Sequence, residues 1–327
     1  MFVVTGGAGF IGSNLVAALN DRGHRDILVC DRLRSDGKWR NLAKRDFADI
    51  VPPDRLVDHL AASPDEIRAV FHLGAISSTT ATDGDLVYDT NCRFSLALWD
   101  WCLRSRVPLI YASSAATYGD GGLGFDDDPD PAAQRALRPL NLYGWSKQQF
   151  DLRATDLAAR GEAPPQWAGL KFFNVFGPNE YHKGAMQSVA AKVFPDIAAG
   201  RPARLFKSHR PGFADGGQLR DFVWVEDAVA VLLWLYDNPA VSGIFNVGTG
   251  QARSFADLVR SVFLALGREP AIEYFDMPAE LRDKYQYFTE ARMDRLRAAG
   301  FVQPFTPLED AVRRYVRDFL ASRDPYR

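Results

Sequence analysis

A doubly wound parallel α/β sheet with a smaller, discontinuous α/β lobe is the fold this sequence predicts. Three observations support it. A glycine-rich stretch, TGGAGFIG (5–12), sits between a buried apolar run and a helical one. Short runs of β-formers alternate with helical stretches as far as residue 175, and beyond it the alternation breaks down.

The elements follow in chain order. Residues 2–5 read as a buried strand, 10–20 as a helix and 26–31 as a second strand, which together make a βαβ unit. The runs 69–75 (AVFHLGA), 108–114 (PLIYASS) and 168–175 (AGLKFFNV) are short and apolar, and helical stretches at 86–106 and 143–160 separate them. Such alternation places the strands parallel, with right-handed crossovers. After residue 175 come a loop with Gly and Pro, a helix near 186–199 and a polar segment at 207–220. The strand-like DFVWV (221–225) and IFNVG (244–248) are expected to return to the first sheet. The expected division is therefore 1–174 with 221–247 for a first domain and 175–220 with 248–327 for a second. The acidic turn DDDPDP (126–131) reads as a solvated loop.

Composition removes several classes of function. The chain has 327 residues, 47% hydrophobic and 24% charged, the balance of a globular protein large enough for two lobes. Lys plus Arg number 39 against 41 for Asp plus Glu, a net charge of -2 that gives no reason to expect nucleic acid as a partner. Cys30, Cys92 and Cys102 show no CxxC spacing, so neither a metal site nor a disulfide framework is expected, and a reducing compartment is. No stretch has the length of a membrane span and no basic leader precedes MFVVTGG. A cytoplasmic location without a membrane partner is the expectation.

Two motifs point to chemistry. In TGGAGFIG, Gly6, Gly9 and Gly12 permit a tight turn that brings a helix N-terminus, with its free N–H groups, up to a pyrophosphate. The acidic Asp31 at the end of the next strand is placed to accept hydrogen bonds from an adenosine ribose. This is the Rossmann arrangement, and Arg32 with Lys38 favours NADP over NAD through contact with a 2′-phosphate. In NLYGWSK (141–147), Tyr143 and Lys147 are four residues apart on a helix and share a face. A neighbouring ammonium is expected to lower the Tyr143 pKa and make it a usable base or acid, with Lys147 also holding the nicotinamide ribose. Ser114, in YASSAATYG (111–119), stands at the carboxyl end of a strand, where ligands bind in open α/β sheets, and is placed to hydrogen-bond a reacting oxygen.

Together these motifs resemble the extended short-chain dehydrogenase/reductase family of NAD-dependent epimerases and dehydratases, which act on nucleotide sugars. ISSTT (76–80), FFNVFGP (172–178), HKGAM (182–186) and YQYFT (285–289) narrow the resemblance, over nearly the whole chain, to members that invert the exocyclic C6 centre of an ADP-linked heptose for the lipopolysaccharide inner core. The resemblance implies oxidation to a transient ketone by bound cofactor, re-reduction on the other face, and a second proton carrier at Lys183. His182, with the better unperturbed pKa, weighs equally on the residues alone. It further implies cofactor contacts from Phe10, Ile11, Gly74, Ala75, Ile76, Ser77, Asn91, Val175 and Lys183. Asn174, Ala185, Lys192, Phe206, Lys207, Ser208, His209, Arg220 and Tyr285 would join Ser114 in binding substrate, and a homopentamer is the implied assembly. Five positions depart from the family pattern: Leu73 for a polar residue, Ala185 for serine, Lys192 for histidine, Lys207 for an acidic residue and Pro53 for a lysine. A 4-epimerase or 4,6-dehydratase of another nucleotide sugar is the alternative activity, and a non-catalytic NADP-binding sensor the more distant one.

Overall fold

The computed structural model describes residues 1–62, 66–282 and 285–327. Along the chain run β1 (Phe2–Thr5), β2 (Ile27–Cys30), β3 (Asp49–Val51), β4 (Ala69–His72), β5 (Leu109–Ser114) and β6 (Trp167–Phe172). They are followed by β7 (Asn174–Phe176), β8 (Ala203–Phe206), β9 (Leu219–Trp224), β10 (Gly243–Val247), β11 (Ala252–Ser254) and β12 (Ile272–Phe275). Seven strands form one parallel sheet in the order β10-β6-β5-β4-β1-β2-β3. Every residue of β1, β2, β4 and β10 is buried, because helices cover both faces and leave no side of these strands for polar residues. The strand order reverses between β1 and β4, which opens a crevice at their carboxyl ends. This is the doubly wound Rossmann sheet.

A second core lies beyond β6. Phe176, Ile197, Leu205, Trp224, Leu258, Val262 and Tyr315 meet there, enclosed by the three-stranded sheet β11-β9-β7, the pair β12-β8 and helices Val189–Ala198, Phe255–Ala265 and Leu308–Arg314. Among the described residues no helix is long and apolar enough to cross a membrane.

Four expectations need correction. The 221–225 strand does not return to the main sheet, whereas the 244–248 strand does: β10 occupies the edge beside β6, and β9 pairs with β7 and β11 instead. Alternation explains it, since Phe222 and Trp224 face the second core while Val223 faces the first, so β9 runs between the two cores. The 168–175 run is two strands. At Phe173 the chain turns, Val175 N donating to Phe173 O (2.9 Å), and leaves the large sheet for the small one. The 86–106 helix contains a π-helical turn at Asp89–Arg93, which carries the buried Asn91. The acidic turn is only partly solvated, because Asp127 is buried and accepts from Asn246 N (2.7 Å) of β10, burial pushing its pKa up to about 6.

Candidate active site

The glycine turn joins β1 to helix Phe10–Asp21. A Cβ on Gly12 would drive into the carbonyl oxygen of Gly6, so only glycine lets the helix start this close to the strand. Gly9 caps the helix without a side-chain hydrogen bond, and its first turn has no acidic residue. The N–H groups there are left for an outside anion. Asp31 follows β2 and accepts from Ala8 N (2.9 Å), Arg32 N (2.7 Å) and Lys38 Nζ (2.8 Å), which binds the turn to the acidic residue. Arg32 is exposed and pairs with Asp54 at 3.0 Å. An open helix end, a glycine too crowded for any side chain and an acidic residue beside them are the parts a dinucleotide requires, so the residues present fit that group.

The loop after β4 carries Gly74, Ala75, Ile76 and Ser77. Gly74 N donates to Thr5 Oγ1 (3.1 Å), and Asn91 brackets Ile76, accepting from its N–H (2.8 Å) and donating to its carbonyl (3.0 Å). Asn91 also donates to Ser146 Oγ (2.9 Å), which donates to Tyr143 O (2.7 Å). Asn91 therefore fixes the loop and the start of the next helix through its own amide.

Ser114 ends β5, and its Oγ accepts from Ala116 N (3.1 Å), capping a tight turn. Helix Leu142–Ala159 begins at Asn141, whose Oδ1 accepts from Gly144 N (2.9 Å). The missing side chain of Gly144 lets that first turn lie against the Ala116 carbonyl and brings Tyr143 into hydrogen-bonding reach of Ser114. Lys147 is buried and donates to Ala112 O (2.9 Å). Here the expected electrostatics are reversed. Burial raises the Tyr143 pKa, opposed by the Ser114 hydrogen bond, and no ammonium pulls it down. Burial instead pushes Lys147 down to about 8, with Asp151 opposing. In the chain alone, desolvation outweighs the mutual influence of the pair.

Lys183, Ala185 and Lys192 form a separate group. Lys183 is half-buried, its Nζ 5.1 Å from the centre of the Phe10 ring, and among the described residues it has no ion-pair partner. Its pKa is lowered by burial and by Lys192 against the pull of Glu180; Lys147 plays no part in that shift. The two neighbouring candidates are occupied elsewhere. His182 Nδ1 lies 3.2 Å from Asn41 Nδ2, and Tyr181 Oη donates to Pro325 O (2.9 Å). Ala185 and Lys192 are exposed, as is Asn174 at the start of β7, and Val175 packs partly against the main core.

A third group surrounds Arg220 on β9. Its buried guanidinium donates to Leu219 O (2.8 Å) and to the Gln286 carbonyl and lies 5.2 Å from the Tyr285 ring centre; no carboxylate faces it among the described residues. Phe206 packs on Phe275 at 4.9 Å and on Tyr285 at 6.3 Å. Lys207 reaches Asp276 at 3.6 Å, the Ser208 hydroxyl donates to Arg210 O (3.0 Å), and Met277 N donates to the His209 ring (3.2 Å). Lys207 and His209 thus tie the start of the 207–220 segment to the residues just after β12.

Sequence reasoning missed two buried polar systems. His72 links Thr5 Oγ1 (2.7 Å) to Ser95 Oγ (2.7 Å), and burial lowers its pKa to about 3, so it is neutral. Lys171 and Asp151 form a fully buried ion pair at 3.0 Å. A lone lysine within the apolar run of β6 was the available signal for the second.

The Rossmann sheet brings Ser114, Tyr143 and Lys147 together at its carboxyl edge, where ligands bind in open α/β sheets. The chain belongs to the NAD dependent epimerase/dehydratase family, whose model matches residues 2–248. A relative from Nitratidesulfovibrio vulgaris (strain DP4), named ADP-L-glycero-D-manno-heptose-6-epimerase, is 52% identical over 328 residues, covering 100% of both chains. One of the same name from Fusobacterium nucleatum is 44% identical over 335 residues, again covering 100% of both. Among solved structures, the Helicobacter pylori ADP-L-glycero-D-manno-heptose-6-epimerase matches with a TM-score of 0.78 at 26% identity, over 97% of this chain and 95% of that one.

Proposed function

We propose that this enzyme inverts C6 of the heptose in ADP-D-glycero-β-D-manno-heptose to give the L-glycero product, using tightly bound NADP, and so supplies a precursor of the lipopolysaccharide inner core. The names of the full-length relatives support the substrate. Lys183 is the observation that carries the mechanism: a half-buried lysine with no ion-pair partner among the described residues, leaning on the first residue of the dinucleotide helix.

An unactivated carbinol carbon does not lose a proton, so inversion there proceeds through a ketone. When bound, the oxidised nicotinamide supplies a hydride acceptor and a positive charge that favours the Tyr143 phenolate, offsetting the effect of burial. Ser114 holds the C6 oxygen while Tyr143 takes its proton, and Lys147 binds the cofactor ribose. Rotation about the exocyclic bond then presents the other face of the ketone and moves its oxygen away from Tyr143. Return of the same hydride to that face needs a proton at the second position, which Lys183, its pKa lowered by burial, gives; Tyr143 then loses a proton and Lys183 regains one by exchange with solvent. Arg220 and Tyr285 hold the ADP portion, the guanidinium meeting phosphate and the ring offering a stacking face. In this reading the dinucleotide is bound mainly by residues 1–174 with 221–247 and the sugar nucleotide mainly by the remainder.

The test is incubation with ADP-D-glycero-β-D-manno-heptose, following C6 configuration by NMR. Inversion is expected, with no turnover of UDP- or dTDP-hexoses. Absence of inversion by NADP-loaded protein overturns the assignment, and hexose turnover makes the enzyme a 4-epimerase or 4,6-dehydratase.

A further inference from the structure

Behind Ser114 and Tyr143 lies a buried ionic cluster that the proposed proton transfers do not use. Lys171 of β6 and Asp151, one turn beyond Lys147 on its helix, are both 0% exposed and stand 3.0 Å apart. Asp151 also accepts from Tyr111 Oη (3.0 Å) and Ser113 Oγ (2.6 Å) of β5. Lys171 Nζ donates to Thr117 Oγ1 (2.7 Å), and Thr117 Oγ1 donates to Ser114 O (2.9 Å). The remaining side of the ammonium faces the Tyr118 ring, 4.9 Å from its centre. An unbroken polar path therefore joins the helix of Tyr143 and Lys147 to the backbone of Ser114.

Stability alone does not account for such a pair, because apolar residues of similar volume commonly replace a buried ion pair without loss. We propose that Asp151 and Lys171 are positioning residues for the reaction, locking the Tyr143–Lys147 helix to the Ser114 strand end and holding a compensated carboxylate one turn behind Lys147. The inference rests on the proposed roles of Tyr143 and Lys147. Asp151 faces Tyr111 and Ser113 from β5, Tyr118 from the turn after it, Lys171 from β6 and Lys147 from its own helix. Lys147 also faces Cys92 from the π turn and His72 from β4, and Tyr143 faces Ser114. The Asp151 charge raises the pKa of both Tyr143 and Lys147. Its removal favours phenolate and neutral amine at lower pH.

Asp151→Asn keeps the shape of the side chain and removes the charge. Both limbs of the kcat/KM pH profile are expected to move down by about one unit, as is usual for loss of a nearby charge. A second readout needs no substrate: tyrosinate absorbance of the cofactor-loaded protein, taken as the difference from Tyr143→Phe, shifts the same way. If Asp151→Asn fails to fold, Asp151→Asn with Lys171→Met removes both charges of the pair; because the two partly cancel at Tyr143 and Lys147, a smaller downward shift is expected, together with a fall in kcat/KM from loss of the tie between helix and strand end. Unchanged limbs and an unchanged tyrosinate titration, with only a lower unfolding midpoint, overturn the proposal. A tyrosinate shift in a protein whose wild type does not turn over ADP-heptose leaves this inference standing and removes the substrate assignment.

Discussion

The two sides of the crevice treat their polar groups differently. On the dinucleotide side the polar side chains find partners within the chain, apart from the open helix end: Asp31 takes three donors, Asn91 brackets Ile76, and Asp151 meets Tyr111, Ser113 and Lys171. On the other side Lys183 has no ion-pair partner among the described residues, and Arg220 meets backbone carbonyls and aromatic rings but no carboxylate among them. The first side is organised before any ligand arrives, whereas the second presents cationic groups whose partners an anionic substrate would supply. The difference predicts that substitutions on the two sides fail in different ways.

The largest effects belong to the two proposed proton carriers. Tyr143→Phe and Lys183→Met are each expected to slow epimerisation by about 10²–10⁴-fold, the usual worth of a positioned acid or base, while leaving cofactor bound. Turnover by NMR and cofactor absorbance of the purified variants measure the two quantities separately. Near-normal turnover of Lys183→Met would end the two-base account and leave the cations of the second side with binding roles only.

Gly12→Ala tests the first side. The new Cβ meets the Gly6 carbonyl, which backbone alone can relieve, so a loss of about 1–3 kcal/mol in stability is expected, together with cofactor. Urea unfolding and cofactor absorbance read it. A stable variant that retains cofactor would show that this turn is less tightly held than the contact implies.

The same contrast governs what could be read from the sequence. The glycine turn, Asp31 and the Tyr143–Lys147 pair were legible because local spacing generates them, and the buried runs of β1, β2 and β5 reveal themselves by composition. The placement of β9 was not, because its alternating faces serve two cores and neighbouring strands decide which sheet it joins. Asp127 looked solvated because nothing local indicates that Asn246, far along the chain, would receive it. The Tyr143 pKa moves up and not down: spacing places a lysine on the same face but says nothing of the burial that dominates both groups.

Lys147 provides a pH test of that preorganisation. Its folded pKa of about 8 lies below the ordinary 10.5, so between these values the native chain binds fewer protons than the unfolded one. The contribution of Lys147 to stability is therefore least favourable below pH 8 and improves as pH rises to 10.5. Its ammonium, which the proposed mechanism needs, is lost as pH rises through about 8. The urea midpoint of wild type relative to Lys147→Met should thus rise with pH while kcat/KM falls. A flat midpoint difference would mean that Lys147 keeps its charge when buried.

The smallest effect concerns the choice of dinucleotide, where the two sides overlap in character. Arg32 is exposed and held only by Asp54, a surface pair of little intrinsic worth, so a 2′-phosphate next to Asp31 can take it at small cost. Lys38 is less available because it already neutralises Asp31. Arg32→Ala is therefore expected to weaken NADP by about tenfold, roughly 1.4 kcal/mol, and NAD much less. Lys38→Ala should weaken both, since it disturbs Asp31, the carboxylate proposed to meet the ribose of either cofactor. Titrating each dinucleotide into cofactor-stripped protein distinguishes the roles. Equal losses of NADP and NAD in Arg32→Ala would place Arg32 with the saturated surface ion pairs and remove the basis for preferring NADP.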